Sequence, residues 1–296
     1  MNVLITGASG QVGAALRALA PRSATVCALS HHELDIGDAL AVRRVVEQFR
    51  PGVIINAAAY TAVDLAESHP EQAHAVNALG PRHLALAAAA LNGCRLLHVS
   101  TDYVFDGASE APYTIADAPH PLSVYGRTKL LGEQYLTELM PLRAAVVRTA
   151  WVYAAQGKNF VLTMLRLMRE RGTVRVVADQ RGSPTAAQSV ATVLWRLAEL
   201  PESHGVFHWT DAGIISWYDF AVAIAEEALA QRLLPQAPQI TPITTAEYPT
   251  PAPRPRCSAL NCEATARQLA LEAVPWRVNL RAVMRDVAGR ERALSA

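Results

Sequence analysis

The sequence predicts an α/β protein in which helices cover both faces of a doubly wound parallel sheet. Five short apolar runs occur before residue 150, and helix-forming sequence separates them. The runs are continuous rather than alternating in polarity, as expected of strands buried on both faces of a parallel sheet. The first run also opens directly into a glycine-rich turn. The five runs cover residues 3–6, 25–29, 53–55, 96–100 and 144–148.

Length and composition exclude several classes of protein. A chain of 296 residues is long enough for about two domains. Its 51% apolar and 18% charged residues are typical of a soluble globular protein, and a net charge of +1 argues against nucleic acid or an anionic membrane as partner. No apolar run approaches the ~20 residues of a membrane span. Four cysteines without C-x-x-C spacing favour a reduced, cytoplasmic protein, and we expect no metal site.

The first apolar run leads into the turn Gly7-Ala8-Ser9-Gly10-Gln11-Val12-Gly13, followed by helix-forming residues 14–19. The spacing is G-x-x-G-x-x-G rather than G-x-G-x-x-G. In either spacing, bare backbone lets a pyrophosphate approach the N-terminus of a helix, where free N–H groups and the dipole favour an anion. The alternative is a glycine-rich turn without a ligand.

The end of the second run bears on which dinucleotide would bind. An acid at this position normally holds the ribose 2′-hydroxyl of NAD, but here Ser30 follows the run and the first acid is Glu33. This favours NADPH, with NADH also accepted, although no clear arginine clamp for the 2′-phosphate is visible. Asp35 could accept a hydrogen bond from the adenine amino group, or it could cap the helix predicted over 39–49.

The next two runs also end in candidate ligand-binding residues. Small residues follow the third run over 56–61 and would let a flat cofactor lie against the backbone. A helix is predicted from Val63, and another over 71–91 with a break at Gly80-Pro81. Ser100-Thr101-Asp102-Tyr103 ends the fourth run, at the edge where doubly wound sheets bind ligands.

Tyr125 and Lys129 are four residues apart on a predicted helix and therefore share one face. A free tyrosine has a pKa of about 10. A nearby ammonium would favour the phenolate and bring this pKa toward the neutral range, as a general acid requires. Such a pair can also be an ordinary surface pair. The glycine turn and Thr101 upstream favour the catalytic interpretation.

From Trp151 onward the pattern changes to helices over 159–169, 188–200 and 217–229 with one strand over 174–178. We therefore predict a dinucleotide-binding domain over 1–150 and a smaller, mixed α/β substrate-binding domain over 151–296, some segments of which return to the first sheet. Four large side chains are predicted to be core residues, namely Met164, Met168, Trp195 and Trp217.

The stretch 248–255 has a proline at every second position, which enforces an extended path. A disordered linker is one interpretation. Because helix-forming sequence follows, we prefer an ordered arm that carries Arg254 and Arg256, side chains suited to a diphosphate.

Together these motifs resemble the extended short-chain dehydrogenase/reductase family with its Rossmann-type fold, and within it the dTDP-4-dehydrorhamnose reductases. The glycine turn and Tyr-x-x-x-Lys are typical of the whole superfamily. The narrower resemblance runs nearly end to end and depends on further motifs, including Asn56-Ala57-Ala58-Ala59, Thr61-Ala62-Val63-Asp64, Ser100-Thr101-Asp102-Tyr103-Val104-Phe105, Arg148-Thr149-x-Trp151-Val152-Tyr153, Asn159-Phe160, Asp179-Gln180-x-Gly182-x-Pro184-Thr185, Trp217-Tyr218 and Tyr248-Pro249-Thr250-Pro251-Ala252. One departure is Pro253, where the family often has an arginine.

The resemblance implies a set of site residues. The catalytic residues would be Thr101, Tyr125 and Lys129. Cofactor contacts would come from Gly7, Gly10, Gln11, Val12, Asp35, Ile36, Ala57, Ala58, Ala59, Thr61, Ser100, Tyr125 and Lys129. Substrate contacts would come from Val63, Thr101, Asp102, Tyr103, Trp151, Asn159, Phe160, Gln180 and Arg254.

The resemblance also implies a reaction, the NADPH-dependent reduction of the C4 ketone of dTDP-4-dehydro-β-L-rhamnose to dTDP-L-rhamnose, and it allows a homodimer. Three alternatives stay open. A sugar-nucleotide dehydratase would need Glu after Asp102, where this chain has Tyr103. No residue excludes an epimerase. A non-catalytic, NADP-binding regulatory subunit could keep the glycines, although the intact Thr101, Tyr125 and Lys129 argue against it.

Overall fold

A six-stranded parallel sheet organises the chain, and it confirms the predicted doubly wound α/β fold. The computed structural model describes residues 1–295, with the surroundings of side chains through residue 293. The strands of the large sheet are β1 (Asn2–Thr6), β2 (Thr25–Leu29), β3 (Val53–Asn56), β4 (Arg95–Thr101), β5 (Ala144–Thr149) and β10 (Gly205–His208). Their spatial order is β10-β5-β4-β3-β1-β2, and every neighbouring pair is parallel.

The chain reverses its direction of winding between β1 and β3. From β1 it moves outward to β2 and then returns past β1 to add β3, β4 and β5 on the other side. The carboxyl ends of β1 and β3 therefore flank a crevice, which is where open α/β sheets bind ligands. The glycine turn follows β1, and the small residues 57–59 follow β3, so both predicted cofactor segments lie at this crevice.

Helices cover the sheet on both faces, as the continuous apolar strands require. One face packs against α1 (Gln11–Ala18) and α8 (Ala187–Glu199), and the other against α2 (Ala39–Phe49), α5 (Gly80–Ala89) and α6 (Val124–Leu139). Alternate residues of β1 show the arrangement, since Val3 and Ile5 pack on the face covered by α1 and α8, while Leu4 packs on the opposite face. The remaining helices on this part of the chain are α3 (Val63–Ser68) and α4 (Pro70–His74).

Residues 187–209 return to the large sheet after the chain has left it. Helix α8 packs on α1, and the Trp195 indole donates a hydrogen bond of 3.0 Å to the Leu16 carbonyl oxygen. The buried Arg95 guanidinium donates to the carbonyl oxygens of Leu197 and Ser203 at 2.8 and 2.7 Å. The sheet is thus completed by a strand that lies well past residue 150.

A second apolar cluster lies outside the large sheet and is built mainly from helices. Its main elements are α7 (Phe160–Arg171), α9 (Trp217–Ala230), α11 (Trp276–Ser295) and the parallel pair β7 (Thr173–Val177) and β12 (Gln239–Ile243). Met164 and Met168 are buried here, whereas Trp195 is buried beside α1 and Trp217 is only partly buried. Shorter elements complete the chain: β6 (Val152–Tyr153), β8 (Arg181–Gly182), β9 (Thr185–Ala186), β11 (Ile215–Ser216) and α10 (Glu263–Leu269).

One local prediction was wrong, and one of the two interpretations left open for Asp35 is excluded. Gly80-Pro81 does not break the helix, because a π-helical turn over Ala75–Leu79 precedes it and Pro81 falls in the first turn of α5, where its missing N–H costs nothing. The N-cap of α2 is Asp38, whose carboxylate accepts from the backbone N–H groups of Leu40 and Ala41, whereas Asp35 accepts from Gly37. Among residues 1–295, no helix combines the length and apolar character needed to cross a membrane.

Candidate active site

The glycine turn brings bare backbone to the start of α1. Gly7 has a φ of +70°, and a Cβ placed there would lie 2.6 Å from the backbone nitrogen of Ala58 on the neighbouring loop. A side chain at Gly13 would lie 2.2 Å from the Gly7 carbonyl oxygen. Side chains are therefore excluded at Gly7 and Gly13, and helix α1 begins within the turn, with Gln11 and Val12 in its first turn. This geometry fits a pyrophosphate.

A pocket of about 460 Å³ opens beside this turn at the end of β2. Its wall includes Ser9, Ser30, Glu33 and Arg17. The Glu33 carboxylate accepts hydrogen bonds from the Ser30 backbone N–H and hydroxyl at 2.8 and 2.7 Å, and these bonds lower its pKa. Arg17 was not singled out from the sequence, where no clear arginine clamp was visible, and it lies in the last turn of α1, beyond the glycine turn. The residues at this pocket could hold the adenosine ribose of a dinucleotide, with Arg17 available for a 2′-phosphate.

Other predicted cofactor residues lie along the same carboxyl edge of the sheet. Asp35 is exposed after β2, and Ile36 is buried with its side chain against Gly80. Residues 57–59 follow β3 and are partly buried, and Thr61 is exposed just before α3. The turn, the pocket and these segments all follow the carboxyl ends of β1, β2 and β3, with Asp35 and Ile36 on the loop after β2.

Helix α6 is positioned directly on the end of β4. Its N-cap Ser123 accepts a hydrogen bond from the Gly126 N–H, and Gly126 packs so closely on Tyr103 that a Cβ would lie 2.2 Å from the Tyr103 carbonyl oxygen. The rings of Tyr103 and Tyr125 meet edge to face with their centroids 5.8 Å apart. The close contact therefore brings Tyr125 to Thr101, the last residue of β4.

The electrostatics of Tyr125 differ from the sequence expectation. Burial raises its pKa above the usual value, and only the hydrogen bond with the Thr101 side chain opposes this effect. The other groups that act on the pKa of Tyr125 are Asp102 and Tyr103, which raise it further. The Nζ atom of Lys129 lies 2.6 Å from the Val99 carbonyl oxygen and 3.0 Å from His98 Nε2. Burial lowers the pKa of Lys129 itself to about 8, and Glu133 on the next turn opposes that shift.

His98 was not singled out from the sequence. It lies on β4 with no exposed surface, and its second ring nitrogen, Nδ1, lies 3.0 Å from Asn56 Nδ2. Asn56 in turn accepts hydrogen bonds from Thr6 and from the Ala58 N–H. A chain of buried hydrogen bonds thus links Lys129 through His98 and Asn56 to Thr6, the last residue of β1 before the glycine turn. No spacing rule could reveal it, since the members lie on three strands and a helix.

Ser100 belongs to a second buried polar group behind Tyr125. Its hydroxyl donates a short hydrogen bond to Glu133, whose carboxylate also pairs with Arg148 at 2.7 Å. Both charged side chains are about 5% exposed or less. Ser100 was predicted to contact the cofactor, and its hydroxyl is engaged by Glu133 in this structure.

Asp102 is predicted to bind substrate, and the structure places it 2% exposed beneath the site. Its carboxylate accepts hydrogen bonds from the Ser258 hydroxyl at 2.5 Å and the Thr101 hydroxyl at 3.1 Å. Burial raises the pKa of Asp102 to about 7, against the lowering effect of these hydrogen bonds. The contact with Ser258 ties the segment after the proline-rich arm to the end of β4.

The proline-rich arm is ordered and is held beside the site, as preferred from the sequence. Arg254 makes an ion pair of 2.7 Å with Asp64, and its guanidinium lies 5.8 Å from the Tyr103 ring centroid. Asp64 also accepts from the Ala252 N–H at 3.2 Å. Because Asp64 neighbours Val63, the arm brings two predicted substrate contacts to the edge of Tyr103.

The other predicted substrate residues fall into two groups. Trp151 stacks on Trp217 with ring centroids 3.4 Å apart, and Phe160 lies 4.6 Å from the same indole. Trp217, predicted to be a core residue, is partly buried and packs against the second apolar cluster while also forming this aromatic wall. Asn159 lies elsewhere, donating to Gln11 at 2.8 Å, so it connects the glycine turn to the second apolar cluster.

Gln180 is buried, and its amide donates to Thr245 at 3.1 Å. Asp179 also accepts from Thr245, so the loop after β7 is tied to the segment after β12. Within the described part of the chain, no three His, Cys, Asp or Glu side chains are arranged to hold a metal ion. Thr101, Tyr125 and Lys129 lie together around the end of β4.

Comparison with known proteins agrees with this geometry. The family model described as RmlD substrate binding domain matches residues 1–288. The dTDP-4-dehydrorhamnose reductase of Aggregatibacter actinomycetemcomitans is 44% identical over 93% of this chain and 96% of its own length. The structure of dTDP-4-dehydrorhamnose reductase from Bacillus anthracis in complex with NADP superposes with a TM-score of 0.90 at 35% identity, covering 96% of this chain and 99% of that chain.

A further relative carries a different name. The probable dTDP-4,6-dihydroxy-2-methyloxan-3-one 4-ketoreductase of Streptomyces antibioticus is 40% identical over 98% of this chain and 97% of its own length. These matches span the glycine turn, the Tyr125 helix and the proline-rich arm together. The resemblance found in the sequence is therefore confirmed, and the chain belongs to the dTDP-4-dehydrorhamnose reductase family of extended short-chain dehydrogenases/reductases.

Proposed function

We propose that this protein is a reductase that converts dTDP-4-dehydro-β-L-rhamnose to dTDP-L-rhamnose with NADPH, the last step of dTDP-rhamnose synthesis. The observation that carries the proposal is the placement of Thr101, Tyr125 and Lys129 around the end of β4, in a chain whose family is that of the dTDP-4-dehydrorhamnose reductases. The solved relative from Bacillus anthracis is in complex with NADP, which supports the choice of cofactor.

The residues of the crevice fit a dinucleotide along the strand ends described above. The pyrophosphate would lie on the backbone of the glycine turn, the adenosine ribose beside Ser30 and Arg17, and the nicotinamide end toward Lys129. Bound NADPH would supply the hydride for C4 of the sugar. We assign contacts along this path to Gly7, Gly10, Gln11, Val12, Asp35, Ile36, Ala57, Ala58, Ala59, Thr61, Ser100, Tyr125 and Lys129.

Tyr125 would act as the general acid. Its phenol would give its proton to the oxygen on C4 as negative charge develops there, and the Thr101 hydroxyl would donate a hydrogen bond to the same oxygen. Lys129 would then return a proton to the phenolate. The raised pKa of Tyr125 keeps the phenol protonated before the reaction, as a proton donor must be.

The substrate would lie between the aromatic wall and the proline-rich arm. Trp151 and Phe160 offer a flat apolar surface for the hexose, while Arg254 offers positive charge for the diphosphate. Val63, Asp102, Tyr103, Asn159 and Gln180 complete the proposed substrate-binding set. On this proposal residues 151–296, apart from the returning segment 187–209, mainly bind the sugar nucleotide.

The test is NADPH consumption followed by absorbance. The purified protein would receive dTDP-4-dehydro-6-deoxyglucose and NADPH, with and without a 3,5-epimerase. We expect loss of NADPH only when the epimerase is present, because the epimerase forms the proposed substrate. Failure to consume either NADPH or NADH in the complete mixture would contradict the proposal.

A second candidate is reduction of a related dTDP-4-keto sugar, and the 40% identical ketoreductase of Streptomyces antibioticus favours it. The same assay separates the two, because consumption of NADPH without the epimerase would show that the unepimerised ketone is accepted. An epimerase or dehydratase that recycles its own dinucleotide would show no net consumption in either mixture.

We also propose that the protein works in the cytoplasm and forms a homodimer. Within residues 1–295 the four cysteines are free thiols, as a reducing compartment would keep them. Light scattering after gel filtration would give the molar mass. A monomeric mass at working concentration would contradict the homodimer.

A further inference from the structure

A chain of buried hydrogen bonds runs from the backbone of Ala58 through Asn56 and His98 to Lys129. We propose that His98 is a positioning residue that stabilises the neutral amine of Lys129, the form left when Lys129 has passed its proton to Tyr125. The argument depends on which atoms of the chain can donate and which can accept. It rests on the proposed function only for the final proton step.

The orientation of Asn56 is fixed by its neighbours. The Ala58 backbone N–H can only donate, and it lies 3.1 Å from one terminal atom of the Asn56 side chain, which must therefore be the oxygen, Oδ1. The Thr6 hydroxyl donates to the same oxygen at 2.7 Å. The amide nitrogen, Nδ2, consequently faces His98, where it lies 3.0 Å from Nδ1.

This orientation selects one tautomer of His98. An amide NH₂ group can only donate, so Nδ1 must offer its lone pair, and the proton of the neutral ring is on Nε2. The Nε2–H group then points at the Nζ atom of Lys129, 3.0 Å away. Only a neutral amine has the lone pair to accept that hydrogen bond. A lysine ammonium at the same place would set two donors against each other.

Burial prevents water from relieving the conflict. Thr6, Asn56 and His98 have no exposed surface, and Lys129 is 1% exposed. Unmatched donors are costly in such surroundings. The Val99 carbonyl oxygen, 2.6 Å from Nζ, accepts from either form of the amine but binds the ammonium more strongly, so it opposes the effect of His98.

Few other groups act on Lys129. Tyr125 precedes it by one turn of α6, and Glu133 follows by one turn and favours the ammonium. The Glu133 carboxylate is already paired with Arg148 of β5, which limits this effect. Burial and Lys129 together hold the pKa of His98 well below its usual range, so the ring stays neutral, and burial lowers the pKa of Lys129 to about 8. These directions agree with the assignment made from the hydrogen bonds.

The neutral amine has a place in the proposed reaction. The O–H bond of Tyr125 breaks as its proton joins the C4 oxygen, and an N–H bond of Lys129 breaks as its proton restores the phenol. Lys129 is then a neutral amine, and His98 Nε2–H donates to it. A proton from solvent returns Lys129 to the ammonium before the next turnover, so protons balance over the cycle. His98 touches neither substrate nor cofactor in this scheme and acts through Lys129.

The first test is ¹⁵N NMR of protein labelled at histidine, without cofactor or substrate. Ring ¹⁵N shifts distinguish the two neutral tautomers, and the His98 signals would be assigned by their loss in His98→Gln. We expect His98 to be neutral with its proton on Nε2 from pH 6 to 9. The buried His208 is the internal control, since its Nδ1 faces the Tyr113 carbonyl oxygen at 3.0 Å and must carry the proton instead. A proton on Nδ1 of His98, or an imidazolium at pH 7, would overturn the proposal whether or not the protein is a reductase.

The second test is the pH profile of kcat. Reduction uses the protonated form of Lys129, so kcat should fall as pH rises through its pKa, near pH 8 in the wild type. In Asn56→Asp the carboxylate accepts from His98 Nδ1–H, so that Nε2 becomes an acceptor for the Lys129 ammonium. The alkaline limb of the kcat profile should then move up by about one pH unit or more, which corresponds to a tenfold rise in the proton affinity of Lys129. His208→Gln makes a comparable change at a buried histidine away from Lys129 and should leave the limb in place. An alkaline limb that stays put in Asn56→Asp would overturn the proposal. The wild-type NMR spectrum decides the matter even where that variant does not fold.

Discussion

Two histidines of the same sheet, His98 on β4 and His208 on β10, are both completely buried and both lie against a basic side chain. His208 has a carbonyl oxygen at Nδ1, so Nε2 is free to accept from Arg148, 3.5 Å away. His98 has an amide NH₂ at Nδ1, so Nε2 carries the proton and points it at Lys129. The His208 ring therefore accepts a hydrogen bond from the Arg148 guanidinium, whereas the His98 ring directs a proton at Lys129 and disfavours its ammonium form.

The difference matches the chemistry of the two cations. A guanidinium is not deprotonated in proteins, and Arg148 forms a permanent pair with Glu133. An amine can lose its proton, and Lys129 must do so in the proposed reaction. The groups around Arg148 thus stabilise a permanent positive charge, whereas those around Lys129 allow it to exchange its proton during the proposed reaction. The atom that faces Nδ1 of each imidazole sets this difference, because the Tyr113 carbonyl oxygen accepts from His208 and the Asn56 amide nitrogen donates to His98.

The largest expected effect comes from removing the group that Lys129 serves. Tyr125→Phe deletes the proposed proton donor while keeping the ring that meets Tyr103, so kcat should fall by about 10²–10⁴-fold, the usual contribution of a general acid. Steady-state NADPH oxidation measures it. Tyr135→Phe, ten residues further along α6, is the matched control and should retain wild-type kcat. Turnover by Tyr125→Phe close to wild type would mean that another group supplies the proton.

Removing the buried ion pair between Arg148 and Glu133 should lower the stability of the fold. Arg148→Met leaves the buried Glu133 carboxylate without its partner, and we expect the free energy of unfolding to fall by about 3–5 kcal/mol. Urea titration followed by circular dichroism gives this value. Arg166→Met removes the exposed pair with Glu170 and should cost less than about 1 kcal/mol. Equal losses in the two variants would show that the burial of the Arg148 pair has no energetic consequence.

Acid should affect the surroundings of both Arg148 and Lys129 through their histidines. Burial lowers the pKa of His208 to about 4, from an unfolded value of about 6.5. Because the folded pKa is the lower one, this stabilisation is complete above pH 6.5 and is lost as pH falls toward 4, about 3 kcal/mol for His208. His208→Gln should flatten that part of the dependence of unfolding free energy on pH, and exposed His204→Gln should not. An unchanged slope in His208→Gln would show that His208 does not drive it.

A substitution at Arg17, outside the surroundings of both Arg148 and Lys129, should affect dinucleotide binding without changing the pH dependence of stability or of kcat. Arg17→Gln removes the cation from the pocket beside the glycine turn and should weaken binding of 2′,5′-ADP about tenfold relative to 5′-AMP. Calorimetry with these two fragments requires no turnover. Arg22→Gln on the neighbouring exposed loop is the control. If both fragments weaken equally, Arg17 does not distinguish the 2′-phosphate.

The parts of the fold that the sequence predicted are those that depend on local pattern. The five strands before residue 150 are continuous apolar runs, and the buried parallel sheet requires such runs. Strand β10 was missed because four residues, Gly205–His208, carry too little pattern to stand out. The helix break predicted at Gly80-Pro81 was wrong because a π-helical turn over Ala75–Leu79 precedes α5 and leaves Pro81 in the first turn of that helix. No local sequence pattern predicts this π-helical turn.

The site divides in the same way. Spacing along one helix predicted that Tyr125 and Lys129 share a face, and fixed motifs placed Thr101 at a strand end. The role of His98 depends on the orientation of Asn56, which the Ala58 backbone sets from a third position in the chain. Likewise, Asp102 meets Ser258 across 156 residues. Interactions of this kind are fixed by the packed fold, so sequence spacing does not contain them.

The most direct test of the reductase assignment is the fate of the transferred hydrogen. The protein, the 3,5-epimerase and dTDP-4-dehydro-6-deoxyglucose would be supplied with NADPH deuterated at the transferring position of its nicotinamide, and the sugar nucleotide would be examined by NMR. We predict dTDP-L-rhamnose with one deuterium at C4 and none elsewhere. A product without deuterium at C4, or recovery of unreduced ketone, would contradict the account.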